Sequence, residues 1–212
     1  RLKVEVEYFI SLCKIGIPQL DNFESKKFDE LRKIYLKFSD EDAAEIKEIE
    51  RVTNHDVKAV EYYIKQKFDA LNITKYKEFI HFGLTSQDIN NTAIPLSIRD
   101  FIVEVYVPKL NTILFEINLK SEELKDITII SRTHGQPASP TKLGKEFKVF
   151  WTRINNQLST LKGIPNSAKF AGAVGNFNAH HVAYPNIDWK EFSQNFIENE
   201  LNLNYSFPTT QI

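Results

Sequence analysis

Four polar segments hold most of the side chains that could do chemistry: TNHD at 53–56, TSQDINN at 85–91, SRTHGQP at 131–137, and GAVGNFNAHH at 172–181 together with TTQI at 209–212. In the third, His134 sits among Ser131, Arg132 and Thr133, with Gly135 and Pro137 behind it. A loop histidine flanked by hydroxyls and a guanidinium can have its tautomer and its proton affinity set by its neighbours, which general acid–base work requires. Each segment is expected at a helix boundary. Helix starts leave backbone N–H groups free, so such places suit anionic ligands.

Each segment also has a plainer reading. Thr53, Asn54 and Asp56 have the residue types that cap a helix, with His55 then an exposed bystander. Thr85, Ser86 and Asp88 could cap a turn in the same way. GAVGN has two glycines three apart but not the glycine-x-glycine spacing of a dinucleotide loop. Asn176, Asn178 and His180 could serve turn chemistry alone. Metal and nucleophile readings fail more clearly. There is no HExxH motif and no GxSxG elbow, Cys13 is the single cysteine, and His180 and His181 are adjacent, so on a helix they diverge. What remains is proton-transfer chemistry on an anionic substrate, without a cofactor.

The elements that must position these residues are helical. Val57, Val60, Ile64, Phe68 and Leu71 recur at steps of three and four after Asp56. A second stripe runs from Ile98 through Phe101, Ile102, Val105, Leu110, Ile113, Leu114 and Ile117 to Leu124, with Pro108 expected to kink or restart it. A third joins Leu143, Phe147, Phe150, Trp151, Ile154, Leu158 and Leu161, and is wide enough to suggest burial in a bundle between subunits. Shorter helices are expected over 24–38, 40–50 and around Trp189–Ile197. Leu2, Val4 and Val6 alternate like a strand, but Leu2, Val6, Phe9 and Cys13 fit a helix, and the context favours the helix. The fold class expected is all-α.

Composition agrees. Gly 7 and Pro 8 in 212 residues fall well below the roughly 12% of average usage, as long helices would require. With 27 Lys and Arg against 28 Asp and Glu, the net charge of -1 gives no electrostatic argument for a nucleic-acid or membrane partner. No apolar run suits a membrane span, the first residues lack a signal-peptide layout, and a reducing, cytoplasmic setting fits a lone cysteine. The absence of methionine suggests a partial sequence or omitted modified residues.

Taken in order, TNHD, TSQD, SRTHGQP, GAVGN and TTQI closely resemble the bacterial-type adenylosuccinate lyase family of the fumarase/aspartase superfamily. The resemblance runs from about Glu50 to Ile212, and THGQPA and GAVGNFNAH are its most specific parts. It implies a cofactor-free β-elimination of fumarate from adenylosuccinate, giving AMP, and from succinyl-aminoimidazole carboxamide ribotide in purine biosynthesis. It also implies catalytic roles for His134 and His55, with His134 the acid that protonates the leaving nitrogen. Asn54, His55 and Asp56 match residues that hold the nucleotide and orient the catalytic group. Thr85 and Ser86 match donors to the succinyl carboxylate, and Thr133 and Gln211 match further substrate contacts.

The same resemblance implies a helical domain over 1–91, the start of a long central bundle over 92–212, and a homotetramer with shared active sites. Gln87 departs from the family pattern, since a carboxylate is common there. The family's base, a serine on a mobile loop, is expected beyond Ile212, and the N-terminal Arg-Tyr phosphate contact of relatives is missing. Two rivals stay open: another superfamily lyase such as argininosuccinate lyase, against which Gly135-Gln136-Pro137 argues, and a non-catalytic helical interaction module.

Overall fold

The computed structural model describes residues 1–212. They form two compact units, Arg1–Leu96 with Asn166–Ile212, and Ser97–Pro165. The protein is all-α apart from two small strand pairs.

At the centre of the first unit is α1 (Leu2–Cys13), where every residue from Val4 to Leu12 is buried. That explains its ambiguous pattern, because a helix wrapped on all sides has no polar face to mark its period. Around it lie α2 (Phe28–Leu36), α3 (Asp40–Thr53) and α4 (Asp56–Ala70). Ser39 starts α3 with a reciprocal capping box to Asp42. The expected stripe on α4 is realised, with Val57, Val60, Ile64 and Phe68 all buried. On another side of α1, Tyr8 meets Phe170, Phe192 and Phe196 edge-on, at ring distances of 5.1, 6.0 and 5.9 Å. These rings come from the chain after Asn166, which also forms α8 (Asn178–Ala183) and α9 (Trp189–Asn195), the latter carrying Phe192.

The helix α5 (Ser86–Phe101) continues through a π-helical turn, Ile102–Tyr106, into α6 (Val107–Glu123). Pro108 has no N–H for an ordinary helical bond. The Val107 N–H reaches back to the Ile102 carbonyl instead, and this wider turn absorbs the proline without ending the helix.

In the second unit α6 packs on α7 (Leu143–Lys162). The contact is close because Gly144 has no Cβ to strike the Ser121 carbonyl, and Ser121 Oγ donates to the Gly144 oxygen at 2.9 Å. Of the apolar stripe on α7 only Leu158 is fully buried, and Phe150 is 58% exposed.

One expectation is corrected here. SRTHGQP does not lie at a helix boundary. It forms the tip of an antiparallel hairpin between β1 (Thr128–Thr133) and β2 (Gln136–Lys142). His134 and Gly135 are the two turn residues, with φ of +49° and +77°. A turn with positive φ at both central positions matches the twist of its strands. Gly135 adopts it freely, whereas His134 is held there against its Cβ.

Candidate functional site

The TNHD segment joins α3 to α4. Asn54 closes α3 in the left-handed conformation, φ +51°, and His55 turns the chain extended, φ −151°. The cap of α4 is therefore His55 and not Thr53, Asn54 or Asp56. Its Nδ1 accepts from the Lys58 N–H at 3.0 Å, while Thr53 spends its hydroxyl on the Ile49 carbonyl. This fixes the neutral ring's tautomer: with Nδ1 an acceptor, the proton sits on Nε2. Ser86 Oγ lies 3.2 Å from that Nε2. The ring then donates to the serine oxygen and leaves the Ser86 proton for another acceptor.

Asp56 follows at the start of α4. Burial would raise its carboxyl, but the Val57 N–H and the Arg1 guanidinium, 2.8 Å away, hold it below the usual range. A negative charge here also suits the positive end of α4.

Thr85 and Ser86 stand at the entry to α5. The Thr85 N–H donates to Asp88 Oδ2 at 2.9 Å. Asp88 Oδ1 in turn accepts from Lys169 and from the backbone of Ala171 and Gly172. So TSQD and the GAVGN loop are bonded directly. The TTQI segment reaches the same place: the Gln211 carbonyl accepts from Asn91 Nδ2 at 3.2 Å, and Gly175 leaves room for the Thr209 carbonyl, into which any Cβ would run. The first unit thus gathers Asn54, His55, Asp56, Thr85, Ser86 and Gln211 through a continuous set of contacts.

His134 and Thr133 belong to the second unit. The His134 side chain is exposed at the hairpin tip, where Arg132 Nη1 donates to the Gly135 carbonyl at 3.1 Å and steadies the turn. Thr133 pairs with Gln136 across that turn.

Three groups escaped the sequence reading. His180 is no loop residue. It is 2% exposed on α8, under Gly83, where an added Cβ would stand 2.7 Å from the ring. The Tyr8 hydroxyl donates to the Phe82 carbonyl at 2.6 Å and lies 3.1 Å from His180 Nε2. Burial lowers the His180 pKa to about 4, only partly offset by the charge of Asp88.

Glu5, buried in α1, meets His81 Nδ1 at 2.7 Å. Burial raises the Glu5 pKa against its bond to His81, and that same bond raises His81 above its ordinary value despite desolvation. The third group is Lys169, which no motif had marked. A signal existed for Glu5 and Lys169, since each is a charge inside an apolar run, VEVEYFI and SAKFAG.

Comparison with known proteins supplies the context. The model of the lyase family matches residues 3–207. The adenylosuccinate lyase of Dictyostelium discoideum is 50% identical over 204 residues, covering 93% of this chain and 44% of that protein. Those of Haemophilus influenzae and of Legionella pneumophila strain Corby are 44% and 43% identical, each covering 100% of this chain and 47% of theirs. The chain spans about half the length of these curated relatives. Among solved structures, a fumarate lyase from Mesorhizobium sp. BNC1 superposes with a TM-score of 0.74 at 18% identity, over 98% of this chain and 47% of that one. The 3-carboxy-cis,cis-muconate lactonizing enzyme of Pseudomonas putida gives 0.74 at 16% identity, over 99% of this chain and 46% of that one. At such identities the likeness concerns the fold.

Proposed function

The chain belongs to the lyase family, and we propose that the complete protein is an adenylosuccinate lyase. Its reaction is the β-elimination of fumarate from adenylosuccinate, giving AMP, and from succinyl-aminoimidazole carboxamide ribotide in purine biosynthesis. The observation that carries this reading is the joining of TNHD to TSQD through His55 and Ser86, in a chain 50% identical to a curated enzyme of that name.

The chemistry assigns the roles. The carbon beside one succinyl carboxylate loses a proton, its electron pair forms the new double bond, and the carbon–nitrogen bond breaks. The leaving nitrogen needs a proton, and His134 is the acid that gives it. Thr85 and Ser86 donate hydrogen bonds to the carboxylate on which negative charge develops, and donors placed in advance are worth most in that state. His55 orients Ser86 through Nε2. Asn54, Asp56, Thr133 and Gln211 complete the substrate contacts. The base is the loop serine that the family resemblance implies, and no cofactor is assigned.

A homotetramer with shared sites is part of this reading. It is supported by the number of large apolar side chains left exposed on the second unit, among them Phe101, Val103, Ile113, Phe115 and Phe150, which a partner subunit would cover. A cytoplasmic setting belongs to it as well; no helix is long and apolar enough to cross a membrane.

The test is a substrate panel on the complete protein, followed by ultraviolet absorbance. Turnover of adenylosuccinate but not of argininosuccinate is expected. The reverse preference, or turnover of neither, would overturn the assignment.

A further inference from the structure

Asp88 is 0% exposed and Lys169 is 3% exposed. Asp88 Oδ1 accepts from Lys169 Nζ at 2.7 Å, from the Ala171 N–H at 2.9 Å and from the Gly172 N–H at 3.1 Å. Its Oδ2 accepts from the Thr85 N–H at 2.9 Å. Lys169 Nζ also donates to the Gly172 carbonyl at 2.5 Å, which closes a ring around the two charges. An ion pair this deep is a poor source of stability, because desolvation offsets most of the attraction and apolar residues of similar volume would often do as well. What it supplies is a fixed geometry.

That geometry bears on two segments of the candidate site. A threonine ahead of a helix ordinarily turns its hydroxyl onto the first-turn N–H groups. Here the Asp88 carboxylate takes the Thr85 N–H, and the Asp88 N–H goes to the Thr85 carbonyl at 3.0 Å. The Asp88 N–H that such a hydroxyl would take is thus bonded to backbone, and the carboxylate fixes the Thr85 main chain at the entry to α5. On the other side, Ala171 accepts from the Phe177 N–H at 2.9 Å, which shapes the loop whose Gly175 adjoins Thr209. Asp88 therefore ties the entry to α5 to the support of the 209–211 segment.

We infer that Asp88 and Lys169 form a positioning latch, which sets Thr85 and Ser86 against the 169–175 loop so that their hydroxyls hold the dicarboxylate part of the substrate. Neither latch residue touches substrate. The inference rests on the proposed function, and it makes a selective demand. Loosening the latch must weaken binding of the dicarboxylate product while leaving the nucleotide product alone.

The experiment uses the complete protein as wild type, Asp88→Asn, and the double variant Asp88→Asn/Lys169→Met. Inhibition by fumarate and by AMP is measured alongside kcat and KM. Asp88→Asn replaces an acceptor of Lys169 with an amide, and the fumarate inhibition constant is expected to rise by about tenfold or more, the worth of a charge-assisted bond. The AMP constant should stay at its wild-type value. Asp88→Asn also leaves a buried cation without its partner and could fail to fold; the double variant removes both charges and then carries the test. An unchanged fumarate constant in either folded variant, or equal loss for fumarate and AMP, overturns the latch. Failure of both variants to fold assigns the pair to stability and overturns it too. A wild type that neither cleaves adenylosuccinate nor binds AMP instead refutes the functional reading.

Discussion

Ser86 Oγ lies 3.2 Å from Nε2 of His55, whose Nδ1 is already engaged with the Lys58 N–H at 3.0 Å. One ring therefore caps the start of a helix and orients a hydroxyl from another segment. The two duties can be separated. Asn caps about as well as any residue, while Ala forfeits about 1 kcal/mol. His55→Asn should keep the melting temperature and lose turnover, and His55→Ala should lose both. Thermal unfolding with steady-state kinetics on the same preparations checks this. Full activity in His55→Asn would mean that His55 is only a cap.

His134 occupies a left-handed turn, φ +49°, that asparagine tolerates better than most residues. His134→Asn should thus leave the hairpin and the stability intact. It should lower kcat by about 10²–10⁴, the usual worth of a general acid. A kcat within reach of wild type would remove His134 from the role of acid.

His180 has its pKa lowered by burial to about 4, from an ordinary 6.5. The folded protein then binds fewer protons than the unfolded chain between those values, so stability falls as pH drops through this window. Above pH 6.5 the contribution is complete; by pH 4 on the order of 3 kcal/mol is lost. His180→Leu removes the titration, and the difference in unfolding free energy between the two proteins should shrink in that direction as acid is added. Parallel curves from pH 7 to pH 4 would show that His180 titrates normally.

How much of this was legible in the chain depends on separation along it. The stripe on α4 needed only local spacing, and Val57, Val60, Ile64 and Phe68 are buried as read, while Leu71, just past the helix end, is half-buried. The hairpin at 128–142 was missed because Pro137 and Pro140 argue against a strand. In a two-stranded ribbon, though, both strands are edges, where proline costs no ladder bond on its outer side. The types in TNHD and TSQD marked them as polar sites, yet nothing local says that His55 meets Ser86, 31 residues away, or that Asp88 meets Lys169, 81 residues away. Such pairings are products of the folded core, and a single sequence does not display them.

Gly175 and Gly16 both have positive φ, +84° and +76°, but differ in their surroundings. Nothing lies within 4 Å of a Cβ built on Gly16, whereas one on Gly175 would collide with the Thr209 carbonyl. Gly16→Ala should therefore cost only the backbone term, about 1 kcal/mol, and leave the catalytic constants alone. Gly175→Ala must in addition push the 209–211 segment away. That segment carries Gln211, whose carbonyl is held by Asn91. The displacement should raise KM more than it lowers kcat, because a substrate contact is moved and no proton donor is touched. It should also expose the segment to limited proteolysis, which Gly16→Ala should not. The comparison is made on both variants of the complete protein, with KM, kcat and cleavage rate read together. If Gly175→Ala matches Gly16→Ala in all three, the 209–211 segment does not depend on this close approach, and Gln211 is not positioned by it.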